Sequence, residues 1–278
     1  MIVALDAARP TGVSRALAIG HAATAALHDE LALEPKPGLV SFANSGSHVD
    51  MDAGTFMRSL FALRHYFPAI AAAGATGAHF PVLESLGIDA ERRMLRATGG
   101  INTHRGAIFL LGLVCAGLGR GAVTPPQVRE AIADAWGDAL RARLARAGDS
   151  NGQRAARRHG LRSAGDEAAA GFPVLFDVAL PALRTAGLDA RAARLQALFH
   201  TMAELDDTNV AHRGGLEGLR YVQRAARAFL DAGGAARPDG VAHARAIHEA
   251  FVARRLSPGG AADVLAAACL LDRTCGRP

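Results

Sequence analysis

The sequence predicts an all-α protein, and three observations support that prediction. Half of the 278 residues are hydrophobic but only 5% are aromatic, and alanine, which fills much of the apolar share, favours close-packed helices over sheets. Apolar residues recur at the three- and four-residue spacing of helices. No stretch shows the apolar–polar alternation, bounded by turn signals, that is typical of strands. We expect a single compact domain, residues 1–278, built around a buried central helix.

The first helix and the central helix can be placed directly. Residues 12–33 predict a helix that must end before Pro35 and Pro37, because a residue that precedes proline disfavours the helical conformation. The longest apolar stretch runs from Ala107 to Leu118, which is short of the about 20 residues that cross a bilayer. We therefore expect it to form the buried central helix, in an element that begins near Asn102.

Three later helices are predicted from start signals and apolar stripes. Thr124 is a candidate N-cap, with Pro125 at the first helical position and Gln127 closing a capping box. The expected buried stripe of this helix is Val128, Ile132, Trp136, Leu140 and Leu144. The other two helices begin near Asp189 and Asp239, and their stripes are Leu195, Leu198, Phe199 and Met202, and Val241, Ile247, Phe251 and Val252. Between these elements, the Gly-, Ser- and Arg-rich stretch 148–166 is the best candidate for a mobile loop.

Charge and cysteine content restrict the class of protein. The net charge is +5, from 31 basic and 26 acidic residues, and Lys36 is the sole lysine. The many arginines reflect either genomic base composition or recognition of phosphate-rich ligands. Cys115, Cys269 and Cys275 show neither metal-type spacing nor a disulfide framework. With no secretory signal pattern and no bilayer-length apolar run, we expect a cytoplasmic protein without membrane association.

Polar side chains cluster first in PKPGLVSFANSGSHVDMD, residues 35–52. His48, Asp50 and Asp52 occupy alternate positions, so in an extended segment their side chains share one side. Two carboxylates and an imidazole placed in this way can hold a divalent cation or a proton. The alternative is that one of the aspartates simply caps a helix that begins near Thr55.

A second cluster, TGGINTHRGAIF, stands at the start of the central helix. A helix N-terminus presents unpaired amides and a positive dipole end, which favour anions. His104 and Arg105 in the first turn would disfavour such an end unless an anion compensates, so the cluster predicts a phosphate site. The alternative is an exposed, capped terminus with incidental basic residues.

Three more clusters follow. In GDEAAAGFP (165–173), Asp166 and Glu167 are expected to be solvated carboxylates of a first helical turn. The segment ELDDTNVAHRGG (204–215) repeats the order Asn, His, Arg, Gly of the second cluster, either by chance or because two similar helix ends face one site. In LSPGGAADVL (256–265), Ser257 and Pro258 predict a helix start, and the glycine pair after them would let a ligand approach the backbone.

Taken in order, these clusters resemble the triphosphoribosyl-dephospho-CoA synthase family along nearly the whole chain. The resemblance rests on PKPGLV (35–40), SGSHVDMD (45–52), TGGINTHRGAIF (98–109), GDEAAAGFP (165–173), DDTNVAHRGG (206–215) and SPGGAADVLA (257–266). The sequence from Ser45 onwards is more similar to the malonate decarboxylase branch of this family than to the citrate lyase branch. One departure is that Asp166 stands where the family pattern has arginine, which leaves no arginine there for phosphate.

The resemblance implies a reaction between ATP and 3′-dephospho-CoA. The 2′-hydroxyl of the CoA ribose attacks the anomeric carbon of the ATP ribose, adenine leaves, and the triphosphate is retained. The product, 2′-(5″-triphosphoribosyl)-3′-dephospho-CoA, is the prosthetic-group precursor for the acyl carrier subunit of malonate decarboxylase or, as the alternative, of citrate lyase. An α linkage formed from a β-nucleotide fits a single inverting displacement.

Such a reaction needs a base for the attacking hydroxyl and a carboxylate to stabilise the oxocarbenium character of the ribose. It also needs a proton donor for adenine and cations for the triphosphate. The catalytic candidates that the resemblance implies are Asp206, Asp207, His104 and His212. The candidates for substrate and phosphate binding are Lys36, Asn102, Arg105, Asn209, Arg213, Ser257 and Gly259. Mg²⁺ is the expected cofactor, held by Asp50 and Asp52.

Other classes of protein explain less of the sequence. A magnesium-dependent ADP-ribosyl hydrolase would also be all-α with clustered aspartates, but water would be its acceptor. A basic nucleic-acid-binding module leaves those aspartates unexplained, and a scaffold protein does not need them, so we expect no nucleic-acid partner. The expected partners are ATP, 3′-dephospho-CoA and the transferase that attaches the prosthetic group to the carrier protein, and a homodimer is compatible with them.

Overall fold

The computed structural model describes residues 12–144 and 150–276, and helices form the regular structure of both ranges. In chain order the elements are α1 (Gly12–Leu31), α2 (Ala53–Leu63), α3 (Tyr66–Ala75), α4 (Phe80–Ala97), α5 (Arg105–Gly119), α6 (Pro125–Leu144), α7 (Asn151–His159), α8 (Ala164–Ala169), a π-helix (Val174–Ala179), α9 (Leu180–Leu183), α10 (Ala190–Glu204), α11 (Thr208–Asp231), a 3₁₀ turn (Gly234–Ala236), α12 (Gly240–Ala253) and α13 (Gly259–Thr274). These two ranges contain no strand, so the all-α prediction is confirmed.

Helix α5 is the centre of the fold. It packs against α1, α3, α4, α6 and α13, and from Ala107 to Gly119 every residue except Phe109 is buried. This confirms the prediction of a buried central helix. Helix α13 is a second core helix, in which Asp263 is the one residue between Ala261 and Leu271 that is not fully buried. None of the helices in the described ranges is both long and apolar enough to cross a membrane.

Most of the predicted helix starts and stripes are confirmed. Helix α1 ends at Leu31, ahead of the two prolines. Helix α6 begins at Pro125, and the Oε1 of Gln127 accepts a hydrogen bond of 3.2 Å from the Thr124 amide. Helix α10 follows Asp189, whose carboxylate accepts from the Ala192 amide at 2.8 Å. The stripe of α10 and the α6 residues Val128, Ile132, Trp136 and Leu140 are buried.

Four details differ from the predictions. In the stripe of α12, Ile247 and Phe251 are buried, whereas Val241 and Val252 are only partly buried. Leu144, the last member of the α6 stripe, is 42% exposed because α6 ends there. Helix α5 begins at Arg105 rather than near Asn102, since the residue before it, His104, has non-helical backbone angles (φ −131°, ψ 24°). The stretch 148–166 is not a loop throughout, although residues 148 and 149 lie outside the described ranges.

Two capping boxes account for the helices in that stretch. The hydroxyl of Ser150 pairs with the backbone and side chain of Gln153 at the start of α7, and Ser163 pairs with Asp166 in the same way at the start of α8. Each box satisfies amides that a helix start leaves unpaired, so short helices form in a segment of loop-like composition.

Helix α11 is kinked close to its start. Gly215 has φ +64° and ψ −167°, outside the helical region, and it separates the turns of residues 208–214 from the rest of the helix. Glycine adopts this conformation without steric penalty. The short first segment of α11 therefore takes its own direction, and it carries Asn209, His212 and Arg213 to the cavity described next.

Candidate active site

A cavity of about 1120 Å³ lies where the N-terminal ends of α5, α11 and α13 meet the segment that follows α1. Most of the predicted site residues line it: Lys36, Asp50, Asn102, His104, Arg105, Asn209, His212, Arg213, Ser257 and Gly259. The echoed motifs at 101–107 and 208–215 thus contribute to one cavity. Asp52, Asp206 and Asp207 are not among the lining residues.

Asp207 is part of the helix architecture behind the cavity wall. It is buried, and as the N-cap of α11 it accepts hydrogen bonds from the amides of Asn209 (2.9 Å) and Val210 (3.2 Å). Its second oxygen accepts from the Ala261 amide of α13 at 3.0 Å. Burial raises the pKa of Asp207 to about 6 against the opposing effect of these amides. Asp207 therefore joins two helix starts, a function that differs from the predicted direct catalytic role.

Asp206 faces α8 instead of the cavity. Its Oδ2 accepts a hydrogen bond of 3.1 Å from the Arg162 amide, and the Arg162 guanidinium lies 4.0 Å away. The same guanidinium is 3.3 Å from Glu167. Asp206 thus belongs to a polar cluster that anchors α8; residues of α8 line the cavity, but Asp206 itself does not.

Asp263 is a lining residue that the sequence analysis did not select. It projects from the second turn of α13 towards the start of α5, where its Oδ2 lies against the Gly106 backbone. The contact depends on Gly106, because a Cβ there would lie 2.0 Å from the Asp263 Oδ2. The N-terminus of α5, predicted to hold a phosphate, is therefore already faced by a carboxylate of the protein.

Lys36 forms a buried ion pair at the base of the cavity. Its Nζ lies 2.5 Å from the Glu30 Oε1 and donates to the Glu30 carbonyl at 3.0 Å, and the two side chains are 1% and 5% exposed. Burial lowers the pKa of Lys36 and raises that of Glu30, each against the attraction of the partner charge. A phosphate bound here would compete with Glu30 for the ammonium group.

His104 precedes α5 and is 3% exposed. Its Nδ1 lies 2.6 Å from the Ser59 Oγ, and its ring packs edge-on against Phe56. The Nε2 is buried without a hydrogen-bond partner in the described residues. Because an unpaired buried polar atom is unfavourable, this atom is suited to a ligand that enters the cavity.

Acid is expected to destabilise the protein through His104. Burial, assisted by the charge of Lys36, lowers the pKa of His104 to about 3, whereas a histidine in an unfolded chain titrates near about 6.5. Between these values the unfolded chain binds the additional proton, so stability is lost as the pH falls through this window. The free energy of unfolding in urea should fall with pH more steeply for the wild type than for His104→Asn, by up to about 1.4 kcal/mol per pH unit. Equal slopes would contradict this assignment.

Arg105 and Asn102 are both engaged at the start of α5. The Arg105 Nε lies 3.0 Å from the Glu91 Oε2 of α4, and both side chains line the cavity. The Asn102 Oδ1 accepts a hydrogen bond of 3.1 Å from the Arg105 amide. Asn102 thus satisfies an unpaired amide of the helix start, while its remaining polar atoms stay at the cavity surface.

Arg213 connects the segments on the other side of the cavity. Its Nη2 donates to the Ser47 carbonyl at 2.5 Å and its Nε to the Arg255 carbonyl at 2.8 Å. The His48 Nε2 lies 2.8 Å from the Ser257 Oγ. Burial, followed by the charge of Arg213, lowers the pKa of His48, so its ring is neutral near pH 7. The structure thus brings together residues from three sequence clusters.

The two aspartates assigned to Mg²⁺ occupy different surroundings. Asp50 lines the cavity with an exposed carboxylate, 3.6 Å from the His48 Nδ1. Asp52 is the N-cap of α2, and its Oδ1 accepts from the Thr55 amide and hydroxyl, both at 2.8 Å. The alternative that one aspartate caps this helix is confirmed for Asp52. Within the described ranges, no three His, Cys, Asp or Glu side chains group as a metal site.

The carboxylates of GDEAAAGFP are not simply solvated. Asp166 closes the capping box of α8 and lines the cavity. Glu167 is 7% exposed, accepts from the Val174 amide at 3.3 Å, and has its pKa raised by burial. The prediction of solvated first-turn carboxylates is therefore wrong for Glu167, which holds the turn before the π-helix.

The sequence analysis did not select several polar residues of the site, among them Glu30, Glu91 and Asp263, which line the cavity, and Ser59, which contacts His104. A signal existed for two of them, because Glu30 and Asp263 are carboxylates on apolar, alanine-rich helix segments. A charged side chain on the buried face of a helix needs a partner, and at such positions a functional role is common. Glu91 and Ser59 lie on amphipathic helices, where nothing in the local pattern separates them from ordinary polar residues.

Comparison with known proteins agrees with the chemistry of this cavity. Residues 16–277 match the family described as ATP:dephospho-CoA triphosphoribosyl transferase. A probable 2-(5''-triphosphoribosyl)-3'-dephosphocoenzyme-A synthase of Azotobacter vinelandii is 44% identical over 270 residues, which cover 90% of this chain and 89% of that protein. The 2-(5''-triphosphoribosyl)-3'-dephosphocoenzyme-A synthase of Pectobacterium atrosepticum is 41% identical over 262 residues, with 88% and 85% covered. No solved structure is significantly similar to the chain.

Proposed function

The chain belongs to the ATP:dephospho-CoA triphosphoribosyl transferase family, and on this basis we propose that it transfers the 5-triphosphoribosyl group of ATP to the 2′-hydroxyl of 3′-dephospho-CoA. Adenine leaves and the triphosphate stays on the transferred sugar. The proposed destination of the product is the acyl carrier subunit of malonate decarboxylase, with citrate lyase as the alternative. A separate transferase would then attach the group to the carrier protein.

The observation that supports this proposal is the composition of the cavity. Its volume of about 1120 Å³ exceeds the range of about 300–1,000 Å³ for sites that hold one small molecule, as expected for two nucleotide substrates. Guanidinium groups, imidazoles, carboxylates and helix starts face the same space. Transfer of a sugar that carries a triphosphate requires this combination.

We assign the phosphate groups to the first segment of α11. Asn209, His212 and Arg213 share it and line the cavity, and neither Asn209 nor His212 is buried. Arg213 is held in place by two backbone carbonyls, so its guanidinium is oriented before substrate binds. Lys36 and Arg105 are already paired with carboxylates. Their proposed role is to neutralise the charges of Glu30 and Glu91 in the cavity wall.

His104 is proposed to orient a substrate by hydrogen bonding instead of donating a proton. Its pKa of about 3 leaves the ring neutral near pH 7, and the contact of Nδ1 with Ser59 fixes the direction of Nε2. A neutral imidazole can donate or accept one hydrogen bond at that atom. Proton transfer to adenine therefore needs another group.

Asp50 fits a magnesium site only together with the substrate. Mg²⁺ is usually held by one or two carboxylates and by the phosphates of its nucleotide, and Asp50 is an exposed carboxylate on the cavity wall that makes no helix cap. When bound, the cation would neutralise part of the triphosphate charge. Asp52 is engaged by Thr55 as a helix cap and does not line the cavity, which makes Asp50 the primary proposed ligand.

The two aspartates can be compared directly. Asp50→Asn is expected to raise the Mg²⁺ concentration that gives half-maximal activity by about tenfold, the effect of losing about 1.4 kcal/mol of binding free energy. Asp52→Asn keeps an N-cap and should leave that concentration unchanged. Magnesium titrations of adenine release at saturating ATP measure both values. A larger shift for Asp52→Asn would reverse the assignment.

The proposed reaction is tested by mass spectrometry of the products formed from ATP and 3′-dephospho-CoA. Free adenine, together with a CoA product heavier by the triphosphoribosyl group, is the expected result. The competing activity, ADP-ribosyl hydrolysis, would give ribose products and no CoA adduct. Adenine release that does not depend on dephospho-CoA would likewise contradict a transferase.

A further inference from the structure

Asp263 occupies a position that its helix does not explain. Between Gly259 and Leu271 it is the sole charged residue, and the helix buries its neighbours Ala262 and Val264 in the core. The Asp263 side chain instead reaches the cavity wall. A carboxylate on a core helix is unfavourable unless it is paired or serves a function.

The contacts of Asp263 orient it towards the cavity. The carboxyl group lies at the start of α5, close to the Gly106 backbone and near enough to the Ala107 amide for that amide to oppose the rise in its pKa. Gly106 leaves room for Oδ2, since any side chain there would displace it. The Asp263 side chain also lines the cavity, so its carboxyl group lies where a bound substrate can meet it.

Two carboxyl groups on neighbouring segments act on Asp263. Glu30 of α1 and Asp207 before α11 are both negative, Lys36 balances Glu30, and His104 next to α5 is neutral near pH 7. Burial first, and then Glu30 and Asp207, raise the pKa of Asp263 well above its ordinary value. Burial thus favours the protonated form of the side chain, and a carboxylic acid can donate a proton.

We infer that Asp263 is the general acid of the reaction and protonates a ring nitrogen of adenine as the bond from that base to the ribose breaks. The inference rests on the proposed transfer reaction. The electron pair of the C–N bond passes to adenine, and the Asp263 proton neutralises the leaving base. The 2′-oxygen of dephospho-CoA forms the new bond to the anomeric carbon and loses its proton to solvent, from which Asp263 is reprotonated.

The neighbouring His104 supports this location of the reacting base. Its Nε2 is a buried atom of the cavity wall without a hydrogen-bond partner among the described residues, as is the Oγ1 of the adjacent Thr103, and its Nδ1 is held by Ser59. The same turn, residues 104–107, thus carries His104 and Gly106, against which the Asp263 carboxyl group lies. A purine bound here would meet a neutral hydrogen-bonding group beside the acid.

The test compares leaving groups in the full-length enzyme. With ATP, Asp263→Asn should lower kcat for adenine release by about 10²–10⁴-fold, the usual contribution of a general acid. N7-methyl-ATP carries a base that is already cationic and departs without a proton. With this substrate, kcat of Asp263→Asn should stay within about tenfold of the wild-type value, because the variant lacks only the general acid, which this substrate does not need. Asp272→Asn, which alters the other carboxylate of α13, should keep kcat with both substrates.

Several outcomes would overturn the inference. Asp263→Asn could retain its activity with ATP, or lose activity equally with both substrates as expected for a structural role. Wild-type pH profiles give a second test that needs no variant. As the pH rises, kcat with ATP should decline while kcat with N7-methyl-ATP does not, and parallel profiles would exclude the acid. If the wild type forms no CoA adduct, the proposed function itself fails, independently of Asp263.

Discussion

Glu30→Gln is expected to lower the free energy of unfolding by about 3–5 kcal/mol, the range measured when one partner of a buried ion pair is removed. Lys36 would then be buried with no counter-ion or would have to lose its proton, and both changes are unfavourable. The pair is nearly inaccessible to water, at 1% and 5% exposure, so solvent cannot replace the lost charge. Guanidinium unfolding of the purified protein measures the change.

Two further variants show whether the isolated charge is the cause. The double variant Glu30→Leu/Lys36→Met should recover most of the stability, because apolar side chains of similar volume replace a buried pair at little loss. Asp89→Asn breaks an exposed pair in which Arg92 lies 3.1 Å away, and its effect should be within experimental error. A double variant as unstable as Glu30→Gln would show that packing, not charge, controls this region.

Gly74→Ala and Gly119→Ala are each expected to destabilise the protein by about 2–3 kcal/mol, because they overpack the contact between α3 and α5. A Cβ on Gly74 would lie 2.1 Å from the carbonyl oxygen of Ala116, and one on Gly119 would lie 2.0 Å from that of Ala71. Backbone carbonyls in helices cannot rotate away, so the two helices would have to separate. Chemical denaturation again provides the measurement.

Gly137 in α6 is the matched control for these variants. A Cβ there first meets the mobile end of the Arg141 side chain, at 3.3 Å. Alanine is favoured over glycine inside helices by about 1 kcal/mol, so Gly137→Ala should be neutral or stabilising. If Gly74→Ala and Gly119→Ala behave like Gly137→Ala, the close approach of α3 and α5 is not essential to the fold.

Features that depend on local interactions could be predicted from the sequence. The starts at Pro125 and Asp189 follow from capping, which involves residues within one helical turn. The prediction of a mobile loop for 148–166 is wrong for most of the stretch, although capping signals are present there too. The Ser150–Gln153 and Ser163–Asp166 capping boxes lie in a segment whose overall composition is typical of loops. Local signals are thus informative where composition does not obscure them.

The roles of charged residues were harder to predict, because they depend on contacts between distant segments. Asp207 and Asp263 both stand near helix starts, yet Asp207 turns inwards to amides of α11 and α13 while Asp263 lines the cavity. Lys36 carries the ammonium group expected of a phosphate ligand, but it forms an ion pair with Glu30 near the C-terminal end of α1. Nothing within a few residues of any of them indicates these partners.

The sequence by itself therefore determined the helical class, the buried helix from Ala107 and the clusters of polar residues that carry the family resemblance. Helical periodicity sets the direction of each side chain relative to its own helix axis, which is enough for these conclusions. It does not set which helix start meets which side chain. That pairing arises when the helices pack, and only the tertiary structure showed that Asp263 and His104 face one cavity while Asp206 and Asp207 support it from outside.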